Sequence, residues 1–93
     1  MSGVVFRLEA WFSGHVQGVG FRYQTVQVAK GFYVCGFVKN LADGRVYLLV
    51  EGEEDEARSF LDAVNDELSS YIRDVEVQET SGEATCKTFE IAY

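Results

Sequence analysis

Apolar and polar residues alternate from Val4 to Ser13, with Phe6, Leu8, Ala10 and Phe12 against Arg7, Glu9 and Trp11, the period of a β-strand with one covered face. Phe21, Thr25, Val28 and Ala29 then recur at helical spacing, and Gly31 is the first available stop. A β-branched and aromatic run from Val34 to Lys39 leads to Asn40. Asp43-Gly44 signals a hairpin turn, and Val46, Leu48 and Val50 alternate through Arg45 to Glu51. After the acidic residues Glu53 to Glu56, which favour a helix start, Ala57, Phe60, Leu61, Val64 and Leu68 form one apolar helical stripe. Ile72 to Thr80 alternates again around Val75 and Val77. Ser81-Gly82-Glu83 breaks the run, and Phe89, Ile91 and Tyr93 resume it over Thr88 to Tyr93.

The predicted order is β-α-β-β-α-β with a short terminal strand. Right-handed crossovers turn it into an α+β, ferredoxin-like βαββαβ sandwich: an antiparallel sheet, both helices on one face, and a short C-terminal edge strand. No repeat, linker or low-complexity stretch interrupts residues 1–93, so a single domain is expected. In this topology the loop after the first strand and the hairpin between the second and third emerge at the same end of the sheet, where Arg22 and Asn40 can meet.

Charge changes the picture more than length does. The net charge is -7, yet residues 1–50 carry five bases against two acids and residues 51–93 three bases against thirteen acids. An acidic domain with one locally positive loop argues against nucleic acid, whose binding rests on many phosphate contacts. The start of the chain carries no signal-like apolar segment and there is no long apolar run, so no membrane partner and a cytoplasmic location are expected. Cys35 and Cys86 lack metal or redox spacing, and packed free thiols are the expectation for such a protein. If the terminal strand runs parallel beside the second, however, both cysteines lie at the end away from Asn40 and a bridge is geometrically conceivable.

Candidate chemistry is concentrated in Gly14-His15-Val16-Gln17-Gly18-Val19-Gly20-Phe21-Arg22. Three glycines in seven residues permit turns closed to other residues and leave backbone N–H groups approachable at a helix N-terminus, where an anion is favoured. Arg22, in the first helical turn, works against the helix dipole, and its fork matches a phosphate or carboxylate.

This block, together with Gly36-Phe37-Val38-Lys39-Asn40 and Asp43-Gly44-Arg45-Val46, resembles the two signature blocks of the acylphosphatases, and the element order fits over nearly the whole chain. The resemblance implies hydrolysis of carboxyl-phosphate anhydrides, with an acyl phosphate as substrate, inorganic phosphate as product and neither metal nor cofactor. It implies that Arg22 binds the phosphate, that Asn40 orients the attacking water, and that His15, Val16, Gln17, Gly18, Val19 and Gly20 form the phosphate loop. Three positions depart from the family's usual pattern: His15 stands where Arg or Lys is usual, Phe37 where Trp is common, and Tyr33 where a glycine usually ends the first helix. Gly31, two residues earlier, is expected to stop that helix instead.

Each residue has a plainer reading. Arg22 alone would be a surface charge, Asn40 alone a turn residue, Gln17 a hydrogen-bonding group within its loop, and His15 a shaper of surface potential and not an acid or base. A non-catalytic binding module on the same fold is one rival. An RNA-binding βαββαβ domain is another, but Arg45 to Glu51 lacks the stacking aromatics that it needs.

Overall fold

The computed structural model describes residues 4–93. Its elements are β1 (Val4–Gly14), α1 (Phe21–Ala29), β2 (Val34–Asn40), β3 (Val46–Gly52), α2 (Glu54–Glu67), β4 (Ile72–Glu83) and β5 (Phe89–Ala92). The strands form one sheet in the order β4-β1-β3-β2-β5. All neighbours are antiparallel except β2 and β5, which run parallel through Gly36–Phe89 to Lys39–Ala92. This is the ferredoxin-like α+β sandwich that the alternation predicts.

The core follows the same periodicity. Leu8, Ala10 and Phe12 of β1 and Val46, Leu48 and Val50 of β3 are buried, and the stripe Ala57, Phe60, Leu61, Val64 and Leu68 closes on them from α2. From α1 come Phe21 and Ala29, with Thr25 buried because its hydroxyl donates to the Phe21 carbonyl oxygen one turn back. Burying a Leu- or Phe-sized side chain contributes about 1.5–3 kcal/mol, so this double layer holds the frame that carries the loops.

Two boundaries teach something. Helix α1 stops before Gly31, as its position suggests, but no left-handed glycine ends it: Gly31 and Phe32 donate to the carbonyls of Val28 and Ala29 in a tightened last turn. Tyr33 keeps a negative φ, and its N–H donates to Glu56 on α2. Ser81-Gly82-Glu83, expected to break the fourth strand, instead continues β4 opposite Phe6, Val5 and Val4. Glycine suits that place because a Cβ at Gly82 would lie 3.1 Å from Arg7 Nη1, whose guanidinium crosses here to donate to the Glu83 carbonyl oxygen at 2.7 Å.

β4 and β5 lie at opposite edges, so the segment joining them must cross the sheet. Four strand spacings amount to roughly 19 Å, and the six residue steps from Glu83 to Phe89 reach only about 20 Å when extended. This strap therefore crosses the end of the sheet remote from Asn40 with little slack, bending at Lys87 and Thr88 before β5, and it covers Glu51, which is 1 % exposed. The carboxylate accepts Arg7 Nε (2.7 Å), Thr85 N (2.9 Å) and Thr85 Oγ1 (2.7 Å). Burial alone would push the carboxyl up; the Thr85 N–H and hydroxyl and the Arg7 guanidinium outweigh burial and hold it below the ordinary glutamate range.

The expectation of free thiols is overturned at the same place. Cys35 on β2 and Cys86 on the strap are joined in a disulfide, with Cα atoms 5.8 Å apart. The parallel β2–β5 pairing brings them together, and the bond ties the strap to the sheet.

Candidate active site

At the opposite end, the chain leaves β1 through a loop shaped by its glycines. Gly14 has φ +124°, and a Cβ there would lie 2.6 Å from Arg73 N and from the Tyr71 carbonyl oxygen. Gly20, at φ 82°, is the N-cap of α1, a left-handed turn that a bulky residue enters only under strain. The first helical bond runs from Gln24 N to the Gly20 carbonyl oxygen, so the N–H groups of Phe21, Arg22 and Tyr23 have no acceptor within the helix. No acidic residue occupies the first turn of α1 to neutralise its positive end. Among the described residues, the N–H groups of Val16 to Gly20 likewise meet no protein acceptor. The His15 N–H differs: it is spent on the Tyr71 carbonyl oxygen at 2.9 Å and is not free for a ligand.

The β2–β3 hairpin reaches the same end. Leu41 N donates to Arg45 O and Gly44 N to Leu41 O, closing the turn. Asp43 accepts Arg45 N at 3.0 Å and Arg45 Nε at 2.8 Å, and these bonds lower its carboxyl. The Gln17 side chain spans from loop to hairpin. Its Nε2 donates to the Leu41 and Arg45 carbonyl oxygens at 2.8 and 2.9 Å, so its bonds run to the hairpin and not within its own loop. Gln17 is thus a strut that sets the loop against Asn40, the last residue of β2.

Between loop and hairpin lies a cavity of about 170 Å³. Gly18, Gly20, Arg22 and Asn40 line it, with Val16, Phe21, Tyr23 and Ile91 as the remaining wall. The two residues expected to meet here, Arg22 and Asn40, do so. Among the described residues the Arg22 guanidinium has no hydrogen-bond acceptor; it lies 5.2 Å from the ring centre of Tyr93. Val16 is buried and Val19 half-buried, anchoring the loop to the core, while His15 is exposed and does not line the cavity.

Sequence reasoning missed three participants. Tyr93 reads in sequence only as the last apolar position of the terminal strand, but β5 ends at Ala92 and Tyr93 is 91 % exposed beside Arg22. Ile91 was visible only as a core residue. The Tyr71 carbonyl that takes the His15 N–H comes from far along the chain and leaves no local signal.

Fold and site together define a class: a small ferredoxin-like α+β domain whose first βα loop presents unpaired N–H groups, one guanidinium and one amide to a single small cavity. Comparison with known proteins narrows it. The family described as Acylphosphatase matches residues 8–91. The chain is 47% identical over 87 residues to an acylphosphatase of Archaeoglobus fulgidus, covering 92% of this chain and 97% of that one. It is 43% identical over 81 residues to an acylphosphatase of Thermotoga maritima, covering 86% and 89% respectively. Among solved structures, the crystal structure of acylphosphatase from Bacillus subtilis superposes with a TM-score of 0.85 at 34% identity, covering 95% of this chain and 99% of that one. The chain belongs to the acylphosphatase family, and acylphosphatase activity goes with that membership.

Proposed function

We propose that the acylphosphatase activity is carried out in the cavity shared by Gly18, Gly20, Arg22 and Asn40. The observation that carries this reading is that unpaired N–H groups, an acceptor-free guanidinium and a free amide converge on one small space. The phosphoryl group sits against the loop N–H groups of Val16 to Gly20 and the N-terminus of α1, with Arg22 forked onto its oxygens. A water held by the Asn40 amide attacks phosphorus; the new P–O bond forms as the bond to the acyl oxygen breaks and its electron pair leaves with the carboxylate. That leaving group is stable without a proton, so the step needs charge stabilisation and alignment and not a general acid. An amide is no base, so the water's proton passes to a phosphoryl oxygen of the substrate. The enzyme reads the phosphoryl group and leaves the acyl part outside, which gives broad acyl specificity. We place it in the cytoplasm, and we assign it no cofactor.

A synthetic aryl acyl phosphate should release inorganic phosphate in the presence of EDTA, and a phosphomonoester should not. Asn40→Ala should lower kcat by about two or more orders of magnitude while competitive inhibition by phosphate stays within a few-fold. His15→Ala should do neither. Near-normal kcat in Asn40→Ala removes the water-orienting role, and collapse of kcat in His15→Ala restores a general base to the mechanism.

A further inference from the structure

The Glu51 carboxylate has a lone pair that no hydrogen reaches. Oε2 accepts Arg7 and the Thr85 hydroxyl, while Oε1 accepts only the Thr85 N–H. The neighbours on the remaining side of Oε1 are the two disulfide sulfurs, Cys86 Sγ at 3.2 Å and Cys35 Sγ at 3.9 Å. Sulfurs joined in a disulfide carry no proton to donate, so these contacts satisfy nothing. The two sulfurs and a Glu51 carboxylate oxygen all lie within 4.8 Å of one another in the oxidised protein, and reduction turns the sulfurs into two thiols beside that carboxylate.

We propose that the reduced protein holds one zinc ion between Cys35, Cys86 and Glu51, a site that exists only when the disulfide is open. Tetrahedral zinc with bonds of about 2.3 Å to sulfur and 2.0 Å to oxygen has sulfur–oxygen edges of about 3.5 Å. In the oxidised protein the corresponding distances are 3.2 and 3.9 Å, so the carboxylate stands within ligand reach of both sulfurs before side-chain rotation separates them. The sulfur–sulfur edge of the same tetrahedron is about 3.8 Å, a separation that side-chain rotation of two cysteines with Cα atoms 5.8 Å apart supplies.

The surroundings suit the ion. Thr85 and Arg7 orient the carboxylate from behind, as outer partners of metal ligands do. Two thiolates, one carboxylate, Zn²⁺ and the Arg7 guanidinium sum to zero, the same local charge as the Glu51–Arg7 pair in the oxidised state. A cavity of about 430 Å³, walled in part by Phe32, Tyr33 and Lys87, opens onto all three ligands and leaves a fourth position for water.

The chemistry balances with a dithiol as reductant. Thiol–disulfide exchange transfers two electrons and two protons, leaving Cys35 and Cys86 as thiols and the dithiol as a cyclic disulfide. Zinc then displaces the two thiol protons to solution. The site lies at the end of the sheet away from Arg22 and Asn40, so it stands independently of the proposed mechanism.

The test is anaerobic titration of the full chain with Co²⁺ and Zn²⁺, after reduction by a dithiol and removal of the reductant. Reduced protein should bind one Co²⁺ with thiolate-to-cobalt charge-transfer absorption and intense tetrahedral bands, which Zn²⁺ then abolishes. Oxidised protein should show neither. Cys86→Ser should lose the absorption, and Glu51→Gln should weaken affinity at least about tenfold while keeping the two-thiolate signal. Far-UV circular dichroism and retained acylphosphatase activity establish that each form is folded; if Glu51→Gln is not, Thr85→Ala, which removes the hydroxyl that orients the carboxylate through Oε2 without removing a ligand, should weaken the site by a smaller factor. Absence of thiolate–cobalt absorption in folded, reduced protein overturns the proposal, as does equal binding by the oxidised form or by Cys86→Ser.

Discussion

The two ends of the sheet each place an arginine near the surface, and the two side chains have opposite surroundings. Arg7 donates to Glu51 and to the Glu83 carbonyl oxygen, with the Thr85 groups completing the same cluster. Arg22 has no hydrogen-bond acceptor among the described residues, and its guanidinium lies over the Tyr93 ring. A guanidinium whose donors are satisfied within the protein holds structure; one whose donors face a cavity is ready for an anion. The same contrast extends to the backbone, since the loop before α1 leaves N–H groups unpaired while the strap is pinned by hydrogen bonds and a covalent bond.

The sharpest way to break this contrast is at Arg22. Arg22→Met should lower kcat/KM by about three or more orders of magnitude and leave the thermal midpoint nearly unchanged; a large loss of stability would show that Arg22 also supports the fold. Removing the disulfide by Cys35→Ala with Cys86→Ala should have the converse effect. With a sequence separation of 51, loop-closure entropy sets the loss at roughly 4 kcal/mol of folding stability in urea unfolding, with kcat retained. Arg7→Met should cost about 3 kcal/mol, the low end for stranding a buried carboxylate because the guanidinium is itself partly exposed, again with little effect on kcat.

Gln17→Ala probes the boundary between the two kinds of residue. The strut does not line the cavity shared by Arg22 and Asn40, yet it sets the loop against the hairpin. Its removal should lower kcat about tenfold through misplacement of Asn40 relative to the loop, with at most about 1 kcal/mol lost in stability. Unchanged kcat would assign Gln17 to stability alone.

Most of the frame was legible because it rests on period. Alternation in β1 and β3 and the stripe on α2 each name a buried face, and those residues are the core. The meeting of Arg22 with Asn40 followed from topology. What was hidden depends on long-range geometry. On β3, Glu51 occupies the polar phase of the alternation and reads as solvated; it is buried because the strap has to pass beneath it. Gly82 reads as a break, but its lack of a side chain serves the Arg7 guanidinium and the ladder runs on. Gln17 gives no sign in sequence that its partners are Leu41 and Arg45. Compartment and composition favoured free thiols, whereas the parallel placement of β5 puts Cys35 and Cys86 within bonding reach.

The short β5 is an edge strand of four residues, the kind of segment that neighbouring copies of a chain exchange to form swapped dimers. Here a covalent bond opposes the exchange. With Cys86 bonded to Cys35 on the interior strand β2, the chain is anchored to its own sheet three residues before β5, which leaves only Lys87 and Thr88 as a hinge. The bond therefore biases the last strand toward its own sheet, and with it Tyr93 toward the Arg22 of the same chain.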